Sequence, residues 1–177
     1  MEEEISIFEN VQQDVSTLPR AAELGFEALE NRYFKVLIIN NALLFLVGLI
    51  GLIFLWFNDD EGLITPYFQW ILLGYLVIYL VNLLFVTKGF KFRSYAFRSR
   101  DITYRSGWLW RSSTTVPFNR VQHCELSQGI LDRYFGLAKI KIFTAGGSSS
   151  DVSIPGIELD QATDLKQYIL TKIQSDE

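Results

Sequence analysis

The chain has 177 residues, room for one modest soluble domain beside any membrane part, and a globular-looking balance of 49% apolar and 20% charged residues. Its single cysteine, Cys124, excludes an intramolecular disulfide and fits a reducing compartment. The formal net charge of −4 sums unlike blocks (−5 over residues 1–35, −3 over 58–67, +6 over 88–111, −2 over 112–177), so partners are read from the blocks and not from the total.

In chain order, residues 1–18 are acidic and weakly periodic. From Pro19, a residue suited to a first helical turn, Ala22, Phe26, Leu29 and Tyr33 fall on one helical face. The spacing predicts an amphipathic helix within an acidic N-terminal segment, residues 1–35. Its acidic face is wrong for anionic lipid, so it is expected to pack on the soluble part. The first apolar run starts near residue 36 behind an acidic head, with no basic n-region at the start of the chain, so no secretory signal peptide is expected.

Two uncharged runs follow, Val36–Phe57 and Phe68–Val86. As helices they would extend roughly 33 and 28 Å, against a bilayer core of about 30 Å. Runs apolar on every face do not read as core helices of a chain this small. They predict a two-helix transmembrane hairpin over residues 36–87. The loop Asn58–Tyr67 has no Lys or Arg, whereas Arg32 and Lys35 precede the first run and Lys88, Lys91 and Arg93 follow the second. The positive-inside rule then places both termini in the cytoplasm of a two-span plasma-membrane protein. Trp56, Phe57, Tyr67 and Trp70 form the expected aromatic belt at the other end. Asn40 and Asn41 match Asn82 in depth, and Gly51 matches Gly74. All five are read as interhelical packing: an asparagine–asparagine hydrogen bond between helices and a close backbone approach. With no charge in either run, no ion or proton path is expected.

Beyond Phe92 the period shortens. Strands are expected at Ile102–Trp108, Trp110–Val116, Val121–Leu126 and Ala138–Thr144, and around Val152 and Ile154. Ser106-Gly107 reads as a turn and Ala145–Ser150 as a flexible hairpin loop. Residues 160–175 predict an amphipathic helix with Ala162, Leu165, Ile169 and Ile173 in one stripe and Asp160 as N-cap. This pattern predicts a mainly β domain over residues 88–177, a small roll or barrel with a terminal helix over one end.

Within it, Gly107, Val116-Pro117, Asn119-Arg120-Val121, Gln128-Gly129, Asp132-Arg133, Phe135-Gly136-Leu137 and Thr144-Ala145-Gly146-Gly147 occur in an order and spacing that resemble the bacterial pleckstrin-homology-like domain of the YdbS-like membrane family. The resemblance covers roughly residues 20–173, including the two preceding spans. It implies a pleckstrin-homology-like β-roll of seven strands with a C-terminal helix, and no catalytic site.

The residues agree with that implication. His123 and Cys124 are strand neighbours pointing to opposite faces, so no shared metal is expected. The AGG loop lacks the GK[ST] of a phosphate loop, and one histidine without a nucleophile elbow makes no triad. Asp132, Arg133 and Arg120 read as ties between loops. No enzyme, metal or cofactor is therefore expected. The basic block is the most informative functional feature. Lys88, Lys91, Arg93, Arg98, Arg100 and Arg105, with Arg111 beyond them, begin beside a span and are candidates for contact with anionic lipid headgroups. Gly89 is expected to end the second helix with a positive φ, leaving a short tether that holds this edge within about 10–15 Å of the headgroups. Two functions fit: a membrane-anchored module binding a membrane or envelope protein of related domain type, or a surface module contacting anionic lipid. Nucleic acid is excluded as a partner by membrane tethering and net acidity.

Overall fold

The computed structural model describes residues 25–145 and 152–175; the start of the predicted N-terminal helix and most of the predicted AGGSSS loop lie outside them. Strands β1 (Glu27–Ala28), β2 (Ser94–Phe97), β3 (Asp101–Ser106) and β4 (Ser112–Pro117) form one antiparallel sheet in that order. Strands β5 (Val121–Ser127), β6 (Leu137–Thr144) and β7 (Val152–Glu158) form a second. The alternation along β6 decides its faces: Ala138, Ile140 and Ile142 are fully buried, while Lys139 and Lys141 point away. Register sets Ile140 between Leu126 and Ile154, and Ile102 beside Val116, so apolar rows from both sheets meet in one cluster. Helix α4 (Leu159–Ser175) covers the second sheet with Ala162 and Ile169 fully buried. It starts one residue before Asp160, which therefore lies inside the first turn instead of capping it, where its charge still favours the helix dipole. The roll has seven strands among the described residues.

Helices α1 (Asn31–Phe57) and α2 (Phe68–Lys91) form the hairpin, about 40 and 36 Å long at helical rise. Both are long and apolar enough to cross a membrane, and nearly all their apolar side chains face outward. In the connecting loop the Asp59 carboxylate accepts the backbone N–H groups of Leu63, Ile64 and Thr65 and the Thr65 hydroxyl at 2.7–2.9 Å. Partial desolvation works against this anion, yet the donors from Thr65, Ile64 and Leu63 outweigh it and hold the carboxyl below its ordinary value.

Two expectations are corrected. Among the described residues the predicted N-terminal amphipathic helix is absent: Glu27–Ala28 is extended and pairs with Tyr95 and Ser94 of β2. The apolar residues Leu29 and Tyr33 are buried as their pattern implied, but a sheet edge in need of a partner recruits the backbone just before Leu29 into pairing. Gly89 does not end α2 either. It has no positive φ, and the helix runs two residues further to Lys91. Strand β2, missed by the sequence pattern, starts three residues later.

The hairpin is thus the connection between two adjacent antiparallel strands. Its base is seated in the roll. Leu29, Tyr33 and Val36 belong to the same buried cluster as the strands. The Glu30 N–H donates to the Gly156 carbonyl of β7 at 3.1 Å. The Arg32 guanidinium donates to Glu158 at 2.8 Å and to the Phe135 carbonyl at 3.4 Å. Gly156 has φ +68, and a Cβ there would overlap the Tyr33 ring. Replacing it penalises both the left-handed backbone and the packing of α1 on β7. Gly156→Ala is expected to destabilise the protein by about 2–4 kcal/mol in detergent unfolding, and Tyr33→Ala in that background should add less than it costs alone, since the overlap has been removed.

Candidate membrane-surface site

The faces of α1 and α2 that meet are set by azimuth as well as depth. The Asn41 amide donates to the Asn82 carbonyl oxygen, and Asn41 is only 8% exposed. Asn40, one residue on, is rotated about 100° away and lies exposed. Gly51 and Gly74 also fall outside the seam, and a Cβ on either would touch nothing. Each is about 80° round its helix from the asparagine of that helix, although their depths match each other. The close approach occurs instead at Gly48, seven residues and therefore about 20° from Asn41. The Tyr75 hydroxyl lies over Gly48 and donates to the Phe45 carbonyl at 2.5 Å, while Phe45 packs on Tyr75 and Tyr79. The heptad step from each asparagine was the signal that would have found this pair.

At the hairpin's base the basic residues separate. Helix α2 leads into β2, β3 returns toward the hairpin, and β4 departs again, so the β3–β4 connection lies at the membrane end. Register aligns Ser94 with Arg105, Arg105 with Ser113 and Ser106 with Ser112. These residues, with Lys91, Phe92, Gly107 and Arg111, line an open cleft of about 440 Å³ beside the end of α2. Arg111 lies over the Phe92 ring at 5.6 Å, and Arg105 over Phe26 at 3.7 Å, so aromatic faces hold two of the three cations. Four serine hydroxyls complete a lining that can donate to phosphate or carboxylate oxygens. Lys88 lies exposed one turn nearer the membrane.

The other bases point elsewhere. Arg93 interacts with the phenols of Tyr33 and Tyr104, within the roll's half-buried rim. Burial raises the Tyr104 pKa, and Arg93 pulls it the other way. Arg98 pairs with Asp101 at 3.4 Å in the β2–β3 turn. Arg100 shares a second cleft with Asn119 and Lys172. Both sit at the far end of β2, roughly 13 Å from Ser94 by strand rise, beyond a Debye length of about 8 Å.

The motif residues behind the resemblance do structural work. Gln128 donates to the Leu137 carbonyl at 2.6 Å, and the Gly129 N–H donates to Asp132 at 3.1 Å at the start of α3 (Ile130–Tyr134). Gly136 turns the chain at φ +67, and its carbonyl accepts the Leu159 N–H. Cys124 is buried, which pushes its thiol pKa up, while exposed His123 stacks on Phe143 at 4.2 Å on the opposite face. Among the described residues no three His, Cys, Asp or Glu side chains converge to hold a metal.

Residues 38–173 match the family described as "Bacterial PH domain". The "UPF0699 transmembrane protein YdbS" of Bacillus subtilis (strain 168) is 34% identical over 85 residues, a match covering 47% of this chain and 52% of that relative. The match thus spans about half the length of that relative. No solved structure is significantly similar.

Within the hairpin, Asn82→Leu leaves the enclosed Asn41 amide without its partner and should cost about 0.6–2 kcal/mol in an unfolding titration in mixed micelles. The double change Asn41→Leu with Asn82→Leu should recover part of that loss, because no orphaned amide remains.

Proposed function

The chain belongs to the bacterial PH domain family, and from that premise we propose that this membrane-associated module works at the bilayer surface by holding anionic lipid headgroups in the cleft at its hairpin base. We take the working unit to be residues 88–177 together with β1 and the first turns of α1. The observation that carries the reading is the convergence of Lys91, Arg105 and Arg111, with four serines, about one helical turn beyond the apolar part of α2. At that depth a phosphate is within reach of side chains and the field is least screened. The asymmetry of Lys and Arg between the hairpin's two ends supports the cytoplasmic face of the plasma membrane, with both termini inside. A bacterial PH domain is not an enzymatic kind of module, and the cleft's cations and hydroxyls fit binding.

The full chain is the material for the test, because β1, Leu29 and Tyr33 would be missing from a fragment beginning at residue 88. In nanodiscs of mixed phosphatidylcholine and phosphatidylglycerol, spin-labelled phosphatidylglycerol should be immobilised by the protein in preference to spin-labelled phosphatidylcholine. Lys91→Gln, Arg105→Gln and Arg111→Gln should each reduce that preference by about 1 kcal/mol, roughly fivefold, and added salt should do the same. Equal immobilisation of both lipids by the unaltered chain would end the reading.

Contact with a membrane or envelope protein of related domain type is the second reading, supported by α3. Ile130 and Tyr134 are four residues apart on one helical face and are 92% and 81% exposed, an apolar pair of the kind that anchors protein interfaces. A photoreactive residue at position 130 should give one discrete protein adduct in native membranes, weakened by Tyr134→Ser. Adducts with lipid alone would remove it.

A further inference from the structure

The β3–β4 connection exposes three large apolar side chains in succession. Trp108 is partly covered, Leu109 is more than half exposed, and Trp110 is 83% exposed. In water such a run is costly. It stands, however, at the end of the roll that faces the membrane, because β3 runs antiparallel to the strand that α2 feeds.

Its height can be read from α2. The Trp108 ring meets Phe85 edge-on, with centroids 5.6 Å apart. Phe85 lies inside the apolar run Phe68–Val86. From Lys91, at the level of the cleft, to Phe85 is six residues, a climb of about 9 Å along the helix. The connection therefore rises from the basic cleft to the edge of the span. Gly107 makes the rise possible: its φ is +96, and a Cβ would overlap the Trp110 carbonyl oxygen, so the chain bends back as only glycine allows. Below the indoles, Arg105, Arg111 and Lys91 form a basic collar. Indole above and cation below is the order that the bilayer's own layers favour, ring among the glycerol groups and charge among the phosphates.

We propose that Trp108-Leu109-Trp110 is a third membrane-contacting element, its tip seated in the interfacial layer of the same leaflet from which α2 emerges. The occupant of this apolar surface is lipid, since the surface continues the lipid-facing side of α2 without a break at Phe85. Because the roll is seated on the hairpin base, the element would add an off-axis anchor that limits the tilt of hairpin and roll together in the bilayer. This inference rests on the spanning hairpin and needs no preference for anionic lipid, so it stands or falls separately from the headgroup reading.

The test uses the full chain with Cys124→Ala and a single environment-sensitive label at Leu109→Cys, in nanodiscs of neutral phosphatidylcholine. A label at Asn119→Cys, on the far side of the roll, is the aqueous control. The label at 109 should emit at shorter wavelength than the one at 119. It should be quenched several-fold more by a lipid carrying its quencher near the glycerol end of the acyl chain than by one carrying it near the methyl end, and it should resist iodide. Trp110→Cys, labelled likewise, should repeat the pattern and guards against a fold defect at 109. Iodide quenching of 109 and 110 equal to that of 119 would overturn the proposal by placing the loop in water. Protection from both iodide and lipid quenchers would overturn it as well, by showing that protein covers the loop. Repeating the aqueous quenching with neutral acrylamide in the same neutral lipid keeps both results independent of the charges of the cleft, which would draw iodide toward positions 109 and 110.

Discussion

The hairpin is the loop between two neighbouring strands, and the arrangement of the rest follows from that. Adjacent antiparallel strands lie about 4.8 Å apart, whereas packed helices lie about 8–10 Å apart. The chain must splay from one spacing to the other within a few residues at each end. On the α1 side the extended pair Leu29-Glu30 does this, with Leu29 buried and Glu30 bonded to β7. On the α2 side the turn at Phe92 and Arg93 does it, closed by hydrogen bonds to the Gly89 and Phe90 carbonyls. Neither side contains a flexible linker. The roll is therefore held at a set distance from the bilayer, and the β3–β4 connection necessarily points back toward it.

The joints differ in strength. The Arg32 pairs with Glu158 and Glu30 are 40–48% exposed, so solvent screens them and each contributes little alone. The seating of Tyr33 over Gly156 and of Leu29 and Val36 in the core removes apolar surface from water and depends on close fit, so it dominates. Within the membrane the balance reverses. Lipid competes for apolar contacts, and the hydrogen bond from buried Asn41 to Asn82 and the Tyr75 hydroxyl on the Phe45 carbonyl give the hairpin its register.

Strand geometry also sorts the basic block. Seven bases lie close in sequence, yet a four-residue strand carries Arg98 and Arg100 to the far end of the roll, and Arg93 is taken up by two tyrosines. Lys91, Arg105 and Arg111 remain together at the membrane end because β3 returns there. What looks in sequence like one continuous basic edge is a local collar.

The sequence alone determined the membrane hairpin, because hydrocarbon demands an unbroken apolar run and the two runs are bounded by charge. It determined the strands whose side chains alternate, such as β6, and the stripe that buries α4. The family resemblance, carried by turn glycines and their neighbours, supplied the roll. Three things were decided only by tertiary structure. A two-residue strand such as Glu27–Ala28 has no periodicity to detect; it exists because β2 has an open edge beside it. Gly51 and Gly74 matched in depth, but which side of a helix meets its partner depends on rotation, and that was settled by Gly48 under Tyr75. The basic cleft and the Trp108–Phe85 contact join residues brought together by a returning strand, and spacing along the chain carries no record of where a strand returns.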